Sequence, residues 1–133
     1  MSKLNITNYK GTQGSLEVSD GMSFQLQPPK LENPSDQLSP KHMIAMAWST
    51  CLNATVESIL DSNNKSAKSR VRVEVESKRN KKHGLHYILE AFISIEGFDE
   101  NETLKIANMA DRICPISKLI EKNPFVSLTY EEY

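Results

Sequence analysis

The sequence predicts an α+β fold, and three features carry that prediction. A long apolar helix pattern begins at Pro40, two long strand patterns follow over residues 69–97, and a second helix pattern is interrupted by Pro115 before a final strand. Short strands at the N-terminus precede all of these. A chain of 133 residues fits one domain, which we expect to span residues 1–133.

The first forty residues predict short strands and turns. "LNITNY" and two alternating segments within "SLEVSDGMSFQLQ" have strand character, and Asp20-Gly21 between those two is typical of a hairpin turn. The stretch "PPKLENPSDQLSP" at 28–40 carries four prolines and no apolar period. It therefore predicts a surface loop before the first helix.

The first helix is predicted in "PKHMIAMAWSTCLNATVESIL". Ser39 is the candidate N-cap, and Pro40 takes the first helical position, where its missing N–H is tolerated. Residues 43–47 make the helix apolar on nearly every side, which indicates a central, buried helix. Cys51 lies in its middle.

Two strands are predicted next. Valine alternates with charged residues through "SRVRVEVESK", and "KRNKKHG" forms the turn into a second strand, "LHYILEAFISIEG". One side of that strand is apolar throughout, yet Ile88 and Phe92 lie on the other. Both faces should meet apolar surface, and a partner subunit is the simplest candidate.

The helical period returns in "FDENETLKIANMADRI", with Asp99 or Asn101 as the cap. Proline disfavours helical geometry at the residue before it, so Cys114-Pro115 predicts a kink or a new helix start. "FVSLTYEEY" predicts a final strand.

Composition excludes some functions. The 16 basic and 17 acidic residues nearly cancel, so neither nucleic acid nor an anionic membrane is an expected partner. The N-terminus has no secretory apolar run, and no stretch approaches the length of a membrane span. We expect a soluble, cytoplasmic protein.

The only two cysteines are Cys51 and Cys114, and a reducing cytosol argues against a permanent structural bridge between them. Cys114 is either a thiolate favoured by a helix start or a small hydrophobe that fills space at a kink; the local pattern leaves both open. Cys51, in mid-helix, would need a neighbouring cation or Cys114 itself to be activated.

Other constellations are weaker. His42, near a helix start, is best interpreted as a solvated or capping residue, and no paired cysteine spacing supports a metal. The basic run "KRNKKH" indicates a solvated turn rather than an anion-binding site. No phosphate-binding motif is present. We expect no cofactor.

Three segments carry a resemblance to a known family: "SLEVSDGMSFQL", "SPKHMIAMAWSTC" and, most specifically, "GFDENETLKIANMADRICPIS" with its Cys-Pro-x-Ser setting. Together they resemble the OsmC/Ohr family of osmotically inducible and organic hydroperoxide resistance proteins. The resemblance implies an OsmC-like fold, an intertwined homodimer and a thiol peroxidase that reduces organic hydroperoxides. It places Cys51 as the peroxidatic thiol and Cys114 as the resolving thiol, reset by an external dithiol of the lipoyl type.

The chain departs from this family at two positions. Active members have a glutamate early in the first helix, where Lys41 stands here, and a loop arginine, where Gly11 or Thr12 falls with Lys10 nearby. Either Lys41 or Lys10 supplies the missing charge, or peroxidase activity is weak or altered.

A non-peroxidatic alternative stays open. The same scaffold would serve a protein that binds an apolar ligand, or senses redox state, at the dimer cleft. Met43, Met46 and Trp48 near Cys51 suit a hydrophobic peroxide, although such side chains also serve simply as core packing.

Overall fold

The protein is described from a computed structural model that covers residues 3–26 and 38–133. The chain divides into two compact units, Met1–Ile44 and Ala45–Tyr133, which are described separately. Most of the predicted proline-rich loop lies outside the described residues. The fold is the predicted mixture of helices and strands, and the single domain over residues 1–133 stays a prediction.

The first unit contains a three-stranded antiparallel sheet in the order β1-β2-β3. Its strands are β1 (Ile6–Tyr9), β2 (Ser15–Val18) and β3 (Ser23–Gln25). The predicted Asp-Gly turn joins β2 to β3, where Gly21 adopts a φ of 101°, a conformation that glycine reaches without a steric penalty. The Asp20 carboxylate accepts a hydrogen bond from the Met22 N–H at 2.9 Å, which closes the turn.

The first helix, α1 (Pro40–Ser62), begins where the sequence predicts. The carbonyl of Ser39 accepts the first helical hydrogen bond, from the Met43 N–H at 3.1 Å, so Ser39 occupies the N-cap position. Its hydroxyl lies 2.6 Å from Nδ1 of His42. The Ser39 N–H also donates to this nitrogen at 3.4 Å, which agrees with the interpretation of His42 as a solvated or capping residue.

The helix predicted to be central and buried, α1, is buried along one side in the single chain. Its buried side chains form one stripe, and Met46 is 48 % exposed. The stripe recurs at helical spacing and packs as a core helix does: Trp48, Leu52, Val56, Ile59 and Leu60.

The expectation that no segment reaches membrane-spanning length also needs correction. By length and composition alone α1 is apolar enough to cross a membrane, with a mean hydropathy of 1.2 over its 18-residue window. The core helix of a soluble protein meets the same criterion. In the single chain 28 % of that window is buried.

The second unit is built on a sheet in the order β4-β5-β6. Strands β4 (Ser69–Asn80) and β5 (Gly84–Ile95) form the predicted antiparallel hairpin, and β6 (Val126–Tyr130) pairs with β5 in parallel. The hairpin is longer than predicted, because β4 continues through Asn80 and leaves a turn of only three residues. On the predicted apolar side of β5, Leu85 departs from the pattern and is 58 % exposed; the buried members are Leu89, Ala91, Ile93 and Ile95.

Two helices lie between β5 and β6 along the chain: α2 (Glu100–Ile113) and α3 (Pro115–Ile120). Asp99 is the cap of α2 and forms a capping box with Glu102, whose N–H donates to the Asp99 carboxylate at 2.8 Å. Between the helices, Cys114 has φ −60° and ψ 121°, the extended geometry that a following proline requires. The predicted break and new helix start are confirmed.

Candidate thiol redox site

The two cysteines lie side by side, although 63 positions separate them in the chain. Cys51 projects from α1 and Cys114 from the junction of α2 and α3, and their Sγ atoms are 3.1 Å apart. Both are free thiols. Because a disulfide S–S bond is about 2.05 Å long, a movement of about 1 Å along this line would join them.

Cys114 is fixed by three hydrogen bonds. Its N–H donates to the Ala110 carbonyl at 2.8 Å, and its carbonyl accepts from the Lys118 N–H at 3.1 Å. Its sulfur accepts from the Ser117 N–H at 3.5 Å. Cys114 thus ends α2 and caps α3, and its side chain is fully buried. Cys114 therefore lies at a helix start and is also buried, so its position has a feature of each of the two interpretations that the sequence left open.

Cys51 is the more accessible of the two thiols, since its side chain is only partly buried. Its backbone is held in the middle of α1, where its carbonyl accepts a hydrogen bond from the Thr55 hydroxyl at 2.9 Å. A molecule arriving from solvent would therefore meet Cys51 first.

The two thiols differ in acidity. Burial raises the pKa of Cys51, the Ile116 N–H partly offsets this, and the bond and charge of Cys114 raise it further. Burial also raises the pKa of Cys114, but the Ser117 N–H and the Cys51 thiol, with weaker donors of α3, outweigh it, so this pKa lies below its ordinary value. Either sulfur can donate across their contact, and these shifts favour Cys114 over Cys51 as the thiol that ionises first.

A second contact joins the same two helices. The indole N–H of Trp48 donates to the hydroxyl of Ser117 at 2.9 Å, and both side chains are buried. Trp48 precedes Cys51 by three residues on α1, and Ser117 follows Cys114 by three at the start of α3. The sequence marked Ser117 only as the last letter of Cys-Pro-x-Ser and assigned it no function.

The two predicted auxiliary cations belong to the first unit. Lys10 has a φ of 66° at the start of a short 3-10 turn, Gly11–Gln13, and Lys41 lies in the first turn of α1. Their role toward the thiols stays a prediction. Within Ala45–Tyr133, the groups that shift the pKa of Cys51 are the Ile116 N–H and Cys114, and neither is a cation.

Two cavities of the second unit lie near the site without including either cysteine. A polar cavity of about 330 Å³ has Trp48 and Ser117 in its wall, together with Asp111 and Lys122. A more apolar groove of about 240 Å³ lies between α1 and α2 and includes Ile113. Across the described ranges, 3–26 and 38–133, no cluster of three or more His, Cys, Asp or Glu side chains could hold a metal ion.

Known proteins resemble this chain in sequence or in structure. An "Organic hydroperoxide resistance protein-like" protein of Mycoplasma genitalium is 25 % identical over 121 residues, which are 90 % of this chain and 86 % of the relative. An organic hydroperoxide resistance protein of Elizabethkingia anophelis superposes with a TM-score of 0.84 at 21 % identity, covering 100 % of this chain and 98 % of the other.

The organic hydroperoxide resistance protein OhrB of Bacillus subtilis superposes with a TM-score of 0.78 at 18 % identity, covering 100 % of this chain and 98 % of its own. Identities this low establish the fold alone. The family model described as "OsmC-like protein" matches residues 33–129, a span that contains both cysteines and most of the chain. The chain belongs to the OsmC-like protein family.

Proposed function

We propose that the protein is a thiol-dependent peroxidase that reduces organic hydroperoxides to alcohols. The observation that carries this proposal is the 3.1 Å separation of the Cys51 and Cys114 sulfurs, both free and 63 residues apart in the chain. Two thiols held at this distance can alternate between dithiol and disulfide with little movement. Membership of a family whose relatives are named for hydroperoxide resistance supports a peroxide as the oxidant.

In the first step the Cys51 sulfur attacks the terminal peroxide oxygen, because Cys51 is the accessible thiol. The S–O bond forms as the O–O bond breaks, which leaves Cys51 as a sulfenic acid. The proton of Cys51 passes to the Cys114 thiolate across their contact. The departing alkoxide takes a proton from water and leaves as the alcohol.

In the second step Cys114 resolves the sulfenic acid. Its sulfur attacks Cys51, the S–O bond breaks, and the hydroxide leaves with the thiol proton as water. The disulfide is then reduced by an external dithiol, for which a lipoyl group is our expectation. Over one cycle a hydroperoxide and a dithiol become an alcohol, water and an oxidised dithiol.

The raised pKa of Cys51 suggests what Lys41 or Lys10 would do. Since the pKa of Cys51 is raised and that of Cys114 lowered, the surroundings of Cys51 oppose the thiolate that attack requires. A lysine ammonium near Cys51 would favour that thiolate as a point charge, without the planar fork of arginine. We propose that Lys41 or Lys10 has this auxiliary role; if neither does, activity is weak.

The test is dithiol-dependent consumption of cumene hydroperoxide by wild type, Cys51→Ser and Cys114→Ser. Loss of turnover in both variants is the expected result, because one lacks the nucleophile and the other the resolving thiol. Thr50→Ser, an exposed change beside Cys51 on α1, is the matched control and should retain wild-type turnover. Equal rates in wild type and Cys51→Ser would refute the peroxidase.

We further propose that the protein acts in the cytoplasm as a homodimer and without a metal or organic cofactor. The apolar side chains that α1 leaves exposed support a second copy as the partner, Met46 among them. Neither a membrane nor a nucleic acid is proposed as a partner.

A second candidate function is a non-peroxidatic protein that binds an apolar ligand or senses redox state. The groove of about 240 Å³ between α1 and α2, with Met109 and Ile113 in its wall, favours this alternative. Unchanged peroxide levels together with saturable binding of a fatty acid probe would select it over the enzyme.

A further inference from the structure

We propose that Ser117, held by Trp48, is a positioning residue that sets the geometry and acidity of the cysteine pair. The inference rests on the proposed thiol function of the site. It starts from two contacts that run in parallel between α1 and the start of α3: Cys51 with Cys114 at 3.1 Å, and Trp48 with Ser117 at 2.9 Å.

The spacing of these contacts makes them mechanically linked. Trp48 and Cys51 are three residues apart on α1, so they lie on neighbouring parts of one helix face. Ser117 and Cys114 are also three apart, at the first turn of α3. The hydrogen bond from the Trp48 indole therefore fixes the distance between the backbones of α1 and α3 at a point three residues from each cysteine.

Ser117 acts on Cys114 through both its backbone N–H and its hydroxyl, and each of them lowers the pKa of Cys114. The Ser117 N–H donates to the Cys114 sulfur at 3.5 Å, while the Ser117 hydroxyl accepts the indole N–H of Trp48. Holding the hydroxyl holds the residue, and this keeps the N–H aimed at the sulfur. An N–H aimed at a thiolate favours the charged form.

Burial gives this bond its importance. Trp48 and Ser117 are each 1 % exposed, and a buried indole N–H without an acceptor is costly. The chain has one tryptophan, placed where its polar atom is satisfied by this serine. Both residues also line the polar cavity of about 330 Å³.

The test measures the thiol pair without peroxide. Diamide oxidises two thiols to a disulfide and is itself reduced to the hydrazine, so the rate of disulfide formation can be followed even in a protein that is not a peroxidase. For Ser117→Ala we expect this rate to fall roughly tenfold, the size that losing one positioning hydrogen bond predicts. Ser117→Thr keeps the hydroxyl and should restore the rate.

A second readout separates positioning from general destabilisation. In a Cys51→Ala background, Cys114 is the single thiol, and ultraviolet thiolate absorbance gives its pKa directly. Ser117→Ala in that background should raise the pKa of Cys114, whereas Ser127→Ala, an exposed change in the wall of the same cavity, should leave it unchanged. Trp48→Phe removes the indole N–H together with part of the ring, and the loss of the donor should act in the same direction as Ser117→Ala.

The outcomes are distinct. A slower diamide reaction and a raised pKa of Cys114 in Ser117→Ala and Trp48→Phe support the inference, even if wild type consumes no peroxide. A diamide rate and a pKa equal to those of Ser127→Ala overturn it, even if wild type is an active peroxidase. If Ser117→Ala does not fold, Trp48→Phe alone decides by the same two measurements.

Discussion

At the residue scale, the two cysteines are chemically unequal. Cys51 is accessible but has a raised pKa, whereas Cys114 is buried and has a lowered one. Access and charge therefore favour different sulfurs for the first attack. The short contact reconciles the two, because a proton transferred between sulfurs that are 3.1 Å apart moves the negative charge from one to the other.

The wild-type thiols should titrate in two separated steps. The first proton leaves a thiolate at Cys114 that α3 and Cys51 stabilise, so this step lies below the ordinary pKa of a thiol. The second step requires a negative charge on the partly buried Cys51 beside an existing anion, so it lies above the ordinary pKa of a thiol. Ultraviolet thiolate absorbance against pH measures both. A single step that releases two protons at the ordinary pKa would contradict the assignment.

Removing either thiol should move the pKa of the other in a defined direction. In Cys51→Ala, Cys114 loses a hydrogen-bond donor, so its pKa rises above the first wild-type step. In Cys114→Ala, Cys51 loses the partner that raises its pKa, so its value falls below the second step. The same absorbance titration reports both, and shifts with the opposite signs would exclude the arrangement.

Sequence reasoning reached the cysteines but not their surroundings. Cys114-Pro115 predicted a helix start because proline restricts the residue before it. The sequence did not indicate a role for Ser117, because its partner is an indole donor 69 residues away and such a contact leaves no local pattern.

At the element scale, patterns of period two and 3.6 located the long strands and helices. They did not predict that β6 pairs with β5 in parallel, because strand pairing is decided by non-local contacts. An apolar composition shows that a helix can be buried, but the contacts of the single chain decide which side is.

The capping box of α2 should contribute measurably to stability. Asp99→Ala removes the carboxylate that accepts the Glu102 N–H, and the expected loss is about 1 kcal/mol of the free energy of unfolding. Urea denaturation followed by circular dichroism measures it. Asn101→Ala, an exposed change in the first turn of α2, is the control and should stay within about 0.5 kcal/mol of wild type. Equal losses of stability in Asp99→Ala and Asn101→Ala would contradict the capping role of Asp99.

Substitutions at the centre of β5 should cost far more stability than the loss of the α2 cap. Ile93 is fully buried and lies opposite Val71 in the hairpin register. Ile93→Ala should lower the free energy of unfolding by about 2–5 kcal/mol, because it removes apolar contacts and leaves a cavity. Leu85→Ala, on the same strand but exposed, should cost much less in the same denaturation experiment. A similar loss at both positions would place the core elsewhere.

At the scale of the whole molecule, the second unit leaves large apolar side chains uncovered on both of its longer helices. Met46 of α1 is 48 % exposed and Ile113 of α2 is 54 % exposed. Such side chains are costly in a monomer when they group together, and the proposed homodimer would cover them.

Sedimentation velocity should therefore show a dimer. Ile113→Lys should shift the population toward monomer, because a charge would have to be buried in the interface. Lys105→Glu, an exposed change on α2, should leave the dimer intact. A wild-type protein that sediments as a monomer would contradict the dimer while leaving the contact between the two sulfurs unaffected.

The central claim is that Cys51 and Cys114 work as one redox pair that a hydroperoxide oxidises. The most direct test adds one equivalent of cumene hydroperoxide to the reduced protein and determines its intact mass and its peptide map. The expected product is lighter by two hydrogens, carries a bond between Cys51 and Cys114 within one chain, and forms with one equivalent of alcohol. A protein that consumes the peroxide and retains two free thiols, or that stops at an oxidised Cys51 with Cys114 still reduced, would contradict the claim.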